Sequence, residues 1–393
     1  MLKWIFRAVV ALALIVVVAG VTFRDRIAQL LAVNSLFDEE VIVENFSRMP
    51  DLFYSTEIPA AATPSPLPRG AEIALPGGYG AFVEERGLTS LLVMKDGEIV
   101  HEAYFQGTDA DDLRISWSMA KSYLATLIGT AVDAGEIPSL EAPVTDYVPS
   151  LAGTAYADAR IIDVLQMQSG AEFDERYKVF SSDINRMGRV LALGGSMDGF
   201  AEGITGSRRA PGERFQYVSI DTHVLGMVLR AATGQSVVDL MTSRLTGPLG
   251  IEADGAYITD GDGVAFVLGG LNFTTRDYAR FGQMILDGGI WQGERIVSED
   301  WISAATRPSA LTAPGQIRYG YQWWIPADAD ITDPEHAYMG RGIYGQHLYV
   351  DPKAGVVIVQ TAGDRDFDAD GVFQTYLAFF RALVAATERA SAG

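Results

Sequence analysis

Ser118 and Lys121 stand three positions apart, at the start of a segment rich in alanine and leucine. On a helix this spacing puts both side chains on one face, with the lysine amine beside the serine hydroxyl. Burial disfavours the charged form of an amine, so a buried Lys121 would accept the serine proton. The helix N-terminus would favour negative charge near Ser118. The pattern predicts a serine nucleophile with a lysine base, although a helix cap and a solvated lysine would explain the same spacing.

A candidate second proton carrier, Tyr217, follows about a hundred residues later in Tyr217-Val218-Ser219, behind a turn over residues 211–216. Its hydroxyl would bridge Lys121 and the leaving group. By itself this tyrosine is more simply a core or surface aromatic. The prediction therefore depends on Ser118, Lys121 and Tyr217 being taken together.

The elements that would position these residues are readable from the sequence pattern. The serine-lysine pair opens a predicted helix, Met119–Ala134, which Gly135 and Pro138 end. Further helices are predicted at residues 160–168, 186–193, 221–233, 236–246 and 275–287, and a closing helix at Thr375–Glu388.

Hairpin signals stand at both ends of the folded body. The first joins strands at residues 91–94 and 99–104 through a turn containing Asp96-Gly97, and the second joins residues 347–350 to 356–359. Strands at both ends around a helical block predict an α+β fold, with one antiparallel sheet from both chain ends flanked by helices and a mostly helical inserted subdomain.

The amino terminus predicts a membrane anchor or signal segment at residues 1–26. Lys3 and Arg7 precede an apolar run from Ala8 to Phe23. The run is nearly long enough to span a bilayer, and the basic residues before it would keep that end in the cytoplasm. We expect an inner-membrane anchor with the catalytic domain in the periplasm, or secretion to the periplasm if the signal is cleaved after Ala19.

Prolines among alanine, serine and threonine predict an extended connector over residues 27–75. The folded domain is then predicted at residues 76–393. Its α/β part would comprise about 76–117 and 265–393, and its helical part about 118–264.

Composition excludes several classes of function. The chain has 393 residues, a net charge of −20 and no cysteine. The charge argues against nucleic-acid binding, which needs clustered lysine and arginine. Without cysteine there are no disulfides and no thiolate metal sites. We expect no cofactor and no metal.

Three short motifs carry little weight. Gly340–Gly345 spells G-x-G-x-x-G, but a strand follows it where a dinucleotide site needs a helix. Asp366–Gly371 resembles half a calcium loop, yet position 12 falls on Leu377 instead of a glutamate. The four histidines lack a recognisable base context, and no G-x-S-x-G is present, which disfavours a Ser-His-Asp triad.

The motifs together resemble the class C β-lactamase-like serine hydrolases of the penicillin-recognising fold, from about residue 88 to the end. Within that superfamily the chain is most similar to 6-aminohexanoate-dimer hydrolases and their esterase relatives. The strings that carry the resemblance are Val144–Pro149, Ile162–Gly170, Pro211–Tyr217 and Gly269–Gly282, besides Ser118–Lys121.

The resemblance implies a β-lactamase/transpeptidase-like fold and a serine hydrolase that cleaves small amides or esters through an acyl-enzyme. Ser118 would be the nucleophile, Lys121 the base and Tyr217 the second proton carrier. The backbone N–H groups of Ser118 and Ile343 would form the oxyanion hole. Substrate-binding residues would be Tyr177, Asp183, Ser219, Asn272 and Gly342. Asp183 would bind a substrate ammonium, unless it only caps a helix.

The sequence departs from the family pattern at two motifs. Ser219 stands where Y-x-N has asparagine, and Met339–Gln346 shows no recognisable Lys-Thr-Gly or His-x-Gly. Both departures predict poor turnover of β-lactams. Two alternatives stay open: a non-catalytic receptor for penicillin or peptidoglycan fragments, and a D-alanyl peptidase.

Detergent should be required to release the full-length chain from the membrane fraction, because the apolar run at residues 8–23 would remain inserted. Cell fractionation followed by amino-terminal sequencing measures this. A protein that begins at Gly20 and fractionates with soluble periplasmic proteins would show cleavage instead of anchoring.

Overall fold

The strands of the computed structural model, which describes residues 3–7, 33 and 35–391, form one large and two small antiparallel sheets. They are β1 (Ser55–Ile58), β2 (Leu88–Lys95), β3 (Glu98–Tyr104), β4 (Arg114–Ile115), β5 (Gly255–Ile258), β6 (Leu271–Phe273), β7 (Ile290–Trp291), β8 (Glu294–Arg295), β9 (Arg318–Tyr319), β10 (Trp324–Ile325), β11 (Tyr338–Gly342), β12 (Gln346–Asp351) and β13 (Val356–Ala362). The large sheet has the order β3-β2-β13-β12-β11-β10-β9, and the others are β1-β5-β6-β4 and β7-β8.

The helices lie mainly between the strands contributed by the two chain ends. They are α1 (Ile42–Ser47), α2 (Met49–Leu52), α3 (Tyr79–Glu85), α4 (Ala120–Asp133), α5 (Val144–Tyr147), α6 (Ile161–Leu165), α7 (Asp183–Ala192), α8 (Met197–Glu202), α9 (Ser219–Thr233), α10 (Val237–Met241), α11 (Gly247–Leu249), α12 (Thr275–Leu286), α13 (Glu299–Thr306) and α14 (Val372–Ser391). Short 3-10 turns occur at Trp117–Met119, Pro149–Gly153 and Ile343–Gly345, and a π turn occurs at Thr242–Thr246.

The large sheet confirms the prediction that both chain ends build one antiparallel sheet. Asp96 and Gly97 have φ of 50° and 83°, the positive values that a primed hairpin turn requires. Alternate residues of β2 face opposite sides. Leu91 belongs to the core beneath α14, whereas Leu92 belongs to the larger core shared with the helical block. The sheet is therefore buried on both faces, which explains its almost continuous apolar sequence.

The described part of the predicted connector packs onto the domain, so the prediction that residues 27–75 are simply extended is wrong there. Its β1 pairs with β5, and Phe46 and Ile58 are fully buried in the main core. Prolines indicated an extended backbone, but apolar residues placed between and before them supply the packing surface.

Most of the predicted anchor lies outside the described residues. Among the residues that are described, no single helix is long and apolar enough to cross a membrane. One bent pair, Ser219–Thr233 with Val237–Leu249 at 80°, meets the length and composition criteria together.

Helix α4, which follows the 3-10 turn at Trp117–Met119, is deeply enclosed, since every residue from Ala120 to Ala131 is buried. Gly129 in this helix faces Trp301 of α13, and a Cβ at that position would stand 2.4 Å from the indole Cδ1. The absence of a side chain at Gly129 therefore allows α13 to approach the central helix closely.

We expect Gly129→Ala to destabilise the protein by about 1–3 kcal/mol, because overpacking against Trp301 outweighs the helix propensity that alanine adds. Gly188→Ala is the matched control, since a Cβ at Gly188 on α7 meets no atom within 4 Å. That control should be neutral or stabilising. Denaturant midpoints at constant m-value measure both variants, and a stabilised Gly129→Ala protein would contradict the packing argument.

Candidate active site

Ser118 lies in a strained turn that leads directly into α4. The turn is the 3-10 segment Trp117–Met119, in which Trp117 has φ of 43°, a value rarely adopted by a non-glycine residue. Ser116 anchors the turn by donating its N–H to the Leu271 carbonyl of β6 at 2.8 Å. Such strain persists only where the surroundings hold it, and here it lifts Ser118 to the start of the helix.

Lys121 is brought to Ser118 by the predicted helical spacing. Its Nζ lies 3.0 Å from Ser118 Oγ and donates to the Leu268 carbonyl at 2.7 Å. The side chain is 1% exposed. Burial lowers the pKa of Lys121 to about 7, against the opposing field of nearby carboxylates. A large fraction of the amine is thus uncharged near neutral pH.

Tyr217 lies close to this pair. Lys121 Nζ lies 5.4 Å from the centroid of the Tyr217 ring. That ring stacks on Trp324, with ring centroids 5.1 Å apart. Burial and the charge of Glu175 raise the pKa of Tyr217, while hydrogen bonds with Ser118 and Ser219 act in the opposite direction. The phenol is therefore a neutral hydroxyl at physiological pH, able to donate one proton and accept another.

Glu175 is a half-buried carboxyl in the site that the sequence did not single out. It accepts hydrogen bonds from the Ser219 N–H at 3.0 Å, from the Ser219 hydroxyl and from the Tyr177 hydroxyl at 2.8 Å. Burial raises the pKa of Glu175, and the neighbouring Lys121 opposes that shift. Nothing in the local spacing distinguishes Glu175 from the other charged residues of its loop.

A second unforeseen carboxyl, Asp221, lies one turn into α9. It accepts hydrogen bonds from Tyr156 and Ser169, each at 2.8 Å, and is fully buried. Burial raises the pKa of Asp221 to about 7. Its charge also raises the pKa of Lys121, so the two carboxyls bias the amine toward protonation while burial biases it away.

Strand β11 passes close to the turn at Trp117–Met119 that contains Ser118. A Cβ on Gly342 would lie 2.4 Å from the Ser116 carbonyl oxygen, so only glycine allows this approach. Ile343, the next residue, lines the same cleft as Ser118. Gly342 therefore acts through the backbone, by letting the strand bring Ile343 to the turn.

A mostly apolar cleft of about 380 Å³ opens at Ser118. Ile343, Tyr177 and Ser219 line it together with residues from α7, from the loop before β6 and from the chain before β1. We call this space the apolar cleft. Its described lining contains Val33, Leu36, Phe37, Met49, Phe53, Trp117, Ser118, Tyr177, Lys178, Phe180, Ile184, Asn185, Met187, Gly188, Arg189, Leu191, Ser219, Ile258, Phe266, Leu268, Gly269, Ile343 and Tyr344.

The sequence profile described as Beta-lactamase matches residues 80–380. The chain belongs to the β-lactamase family. A 6-aminohexanoate-dimer hydrolase of Paenarthrobacter ureafaciens is 33% identical over 301 residues, which are 73% of this chain and 75% of that protein. This member of the β-lactamase family is accordingly a serine hydrolase, of the kind that acts on amides or esters.

Solved structures show the β-lactamase/transpeptidase-like fold. A Bacillus anthracis protein assigned as a 6-aminohexanoate-dimer hydrolase has a TM-score of 0.80 at 22% identity, covering 90% of this chain and 96% of that chain. A family VIII carboxylesterase has a TM-score of 0.56 at 19% identity, covering 79% of this chain and 95% of that chain.

Asp183 and Asn272, which the family resemblance nominated, are not among the described residues lining the apolar cleft. Asp183 accepts from the Asp174 N–H at 2.9 Å and from Arg186 at 2.6 Å. It is the first residue of α7, one position after the N-cap, Ser182. Asn272 lies in β6 and donates to the Gly270 carbonyl at 2.9 Å. Both side chains therefore form hydrogen bonds with other residues of the protein.

No group of three or more potential metal-ligating residues occurs within the described part of this β-lactamase-family chain. The residues of the site supply a hydroxyl, an amine, a phenol and two carboxyl groups.

The pH dependence of ester hydrolysis should report the titration of Lys121. Because the pKa of Lys121 is about 7, we expect kcat/KM to rise as the pH increases through 7 and the amine loses its proton. Glu175→Gln should move this limb to lower pH, because it removes a negative charge that favours the protonated amine. Kinetics across the pH range in wild type and variant measure both effects.

Glu252→Gln provides the comparison for this shift, since Glu252 pairs with the fully buried Arg280 and not with Lys121. Its pH profile should match that of the wild type. An acidic limb that stays in place in Glu175→Gln, or moves to higher pH, would contradict the assigned electrostatics.

Proposed function

We propose that this chain hydrolyses small amides or esters through an acyl-enzyme formed on Ser118. The observation that carries the proposal is the buried Lys121 amine, 3.0 Å from the Ser118 hydroxyl and with a pKa of about 7. A general base works best when its pKa is near the operating pH. The amine therefore accepts the Ser118 proton as Oγ attacks the substrate carbonyl carbon.

The developing oxyanion would be stabilised by the N–H groups of Ser118 and Ile343. The close approach of Gly342 to the Ser116 carbonyl supports this pairing. The positive end of α4 adds to the stabilisation, because Ser118 lies immediately before that helix.

Tyr217 would complete the proton transfer. Its ring lies 5.4 Å from the Lys121 amine, and the nearby Ser118 hydroxyl opposes the rise of its pKa. In acylation the phenol donates its proton to the leaving alcohol or amine and regains one from Lys121. In deacylation water attacks the acyl carbon, its proton passes to the same base, and Ser118 Oγ leaves with a proton.

β-Lactams are disfavoured as substrates by the arrangement at Ser219. This residue replaces the asparagine amide of the usual second motif, and its hydroxyl and N–H are both engaged by Glu175. Ser219 thus supports the carboxyl of Glu175 and has no amide to offer a β-lactam side chain.

A fluorophosphonate probe should modify the peptide that contains Ser118, because only an activated serine reacts readily. Ser118→Ala should abolish labelling and lower kcat/KM for a simple ester by about a thousandfold or more. Mass spectrometry of the digested adduct and steady-state kinetics measure these effects.

Ser219→Ala serves as the control, since it removes the other serine hydroxyl that lines the apolar cleft. It should still form the adduct on Ser118. Labelling at a different residue, or a Ser118→Ala protein that keeps most of its activity, would refute the assigned nucleophile.

A further inference from the structure

The apolar cleft has more volume and more apolar surface than access of a carbonyl group to Ser118 alone requires. Deep positions are occupied by Leu36, Met49, Met187, Leu191 and Phe266, all less than 9% exposed. A volume of about 380 Å³ is at the small end of ligand-binding pockets, so it suits one slender group and not a large ring system.

The position of the cleft relative to the proton carriers indicates which part of a substrate enters it. Ser118, Ile343 and Tyr344 line the cleft, whereas Lys121 and Tyr217 are not among the described residues that do. Tyr217 would donate to the leaving group, so the leaving group lies toward Tyr217. The cleft is then left for the acyl side of the scissile bond.

One wall of the cleft comes from a part of the chain outside the family match. Val33, Leu36, Phe37, Met49 and Phe53 all precede residue 80, where the match begins. This wall therefore lies outside the residues that the β-lactamase profile matches.

Phe37 connects that wall to the turn that contains Ser118. Its ring stacks on Tyr344 with centroids 4.8 Å apart and lies 5.8 Å from Trp117. Tyr344 follows Ile343, and Trp117 precedes Ser118. The wall thus contacts both of the chain segments that would carry oxyanion-hole donors, the one at Ser118 and the one at Ile343.

Charge at the cleft favours a neutral occupant. Its described lining contains no carboxylate, and its two cations are already engaged. Lys178 pairs with Asp368 at 2.7 Å, while Arg189 stacks on Phe180 at 4.2 Å and donates to the Phe180 carbonyl at 2.9 Å. The described lining therefore offers no carboxylate to a substrate ammonium, contrary to the prediction that Asp183 binds one.

We propose that the apolar cleft binds an uncharged, unbranched acyl chain of medium length, with the segment before β1 forming part of the specificity wall. The proposal rests on the function proposed above and names its substrate class: esters or amides of aliphatic carboxylic acids. Each methylene removed from water into the cleft should raise kcat/KM by about fourfold, until the cleft is full.

Two ester series separate acyl from leaving-group recognition. The first varies the acyl chain of p-nitrophenyl esters from acetate through butyrate and hexanoate to octanoate. The second varies the alcohol of alkyl acetates over the same lengths. We expect kcat/KM to climb steeply in the first series and little in the second. A steeper climb with the alcohol, or no climb in either, would overturn the proposal.

Gly188→Phe tests the cleft itself. Gly188 lines the cleft from α7, and a Cβ there meets no atom within 4 Å, so the ring has room to enter without straining the helix. The octanoate-to-acetate ratio of kcat/KM should fall by about tenfold or more. Gly80→Phe places the same ring at another open helical glycine, on α3, and should leave the ratio unchanged.

Phe37→Ala provides a second variant, on the amino-terminal wall. It should lower the same ratio by removing apolar surface from the cleft, and Phe37 is not deeply buried, so the fold should survive. An unchanged ratio in both cleft variants would refute the proposal. A wild-type protein that hydrolyses none of the esters in either series would instead refute the underlying hydrolase mechanism.

Discussion

Much of the site depends on one buried amine that has to lose its charge. Lys121 is enclosed by the core around α4, and in the described part of the chain its hydrogen-bond partners are the Ser118 hydroxyl and the Leu268 carbonyl. A carbonyl accepts a hydrogen bond but has no charge to offset that of an ammonium, so burial outweighs the nearby carboxylates and lowers the pKa of Lys121 to about 7. The large sheet, the nucleophile turn and the loop before β6 all contribute to this enclosure.

Local patterns predicted the framework of the fold well. Asp96-Gly97 specifies its own turn, the serine-lysine spacing specifies one helix face, and the two strands within each predicted hairpin pair as expected. These signals are short in range, so a single sequence carries them. The packing of the connector depended instead on a partner, β5, that lies about two hundred residues away in the chain.

The carboxyl groups of the site make contacts that local sequence patterns do not predict. Glu175 meets Ser219 across 44 residues, and Tyr156 meets Asp221 across 65 residues. No local period brings these pairs together. Asp183, by contrast, was nominated by the family resemblance as a residue that binds a substrate ammonium, and the structure places it in the first turn of a helix. It is not among the described residues that line the apolar cleft.

The balance of charge in the site follows from these enclosed groups. Burial raises the pKa values of Glu175 and Asp221 and lowers that of Lys121, so all three are driven toward neutrality. Each also opposes the shift of its opposite-charged neighbour, because a carboxylate stabilises the ammonium and the ammonium stabilises a carboxylate. Protonation of one carboxyl would lower the pKa of Lys121 and increase the fraction of the amine that is uncharged. The titration of Lys121 is consequently a property of the whole cluster.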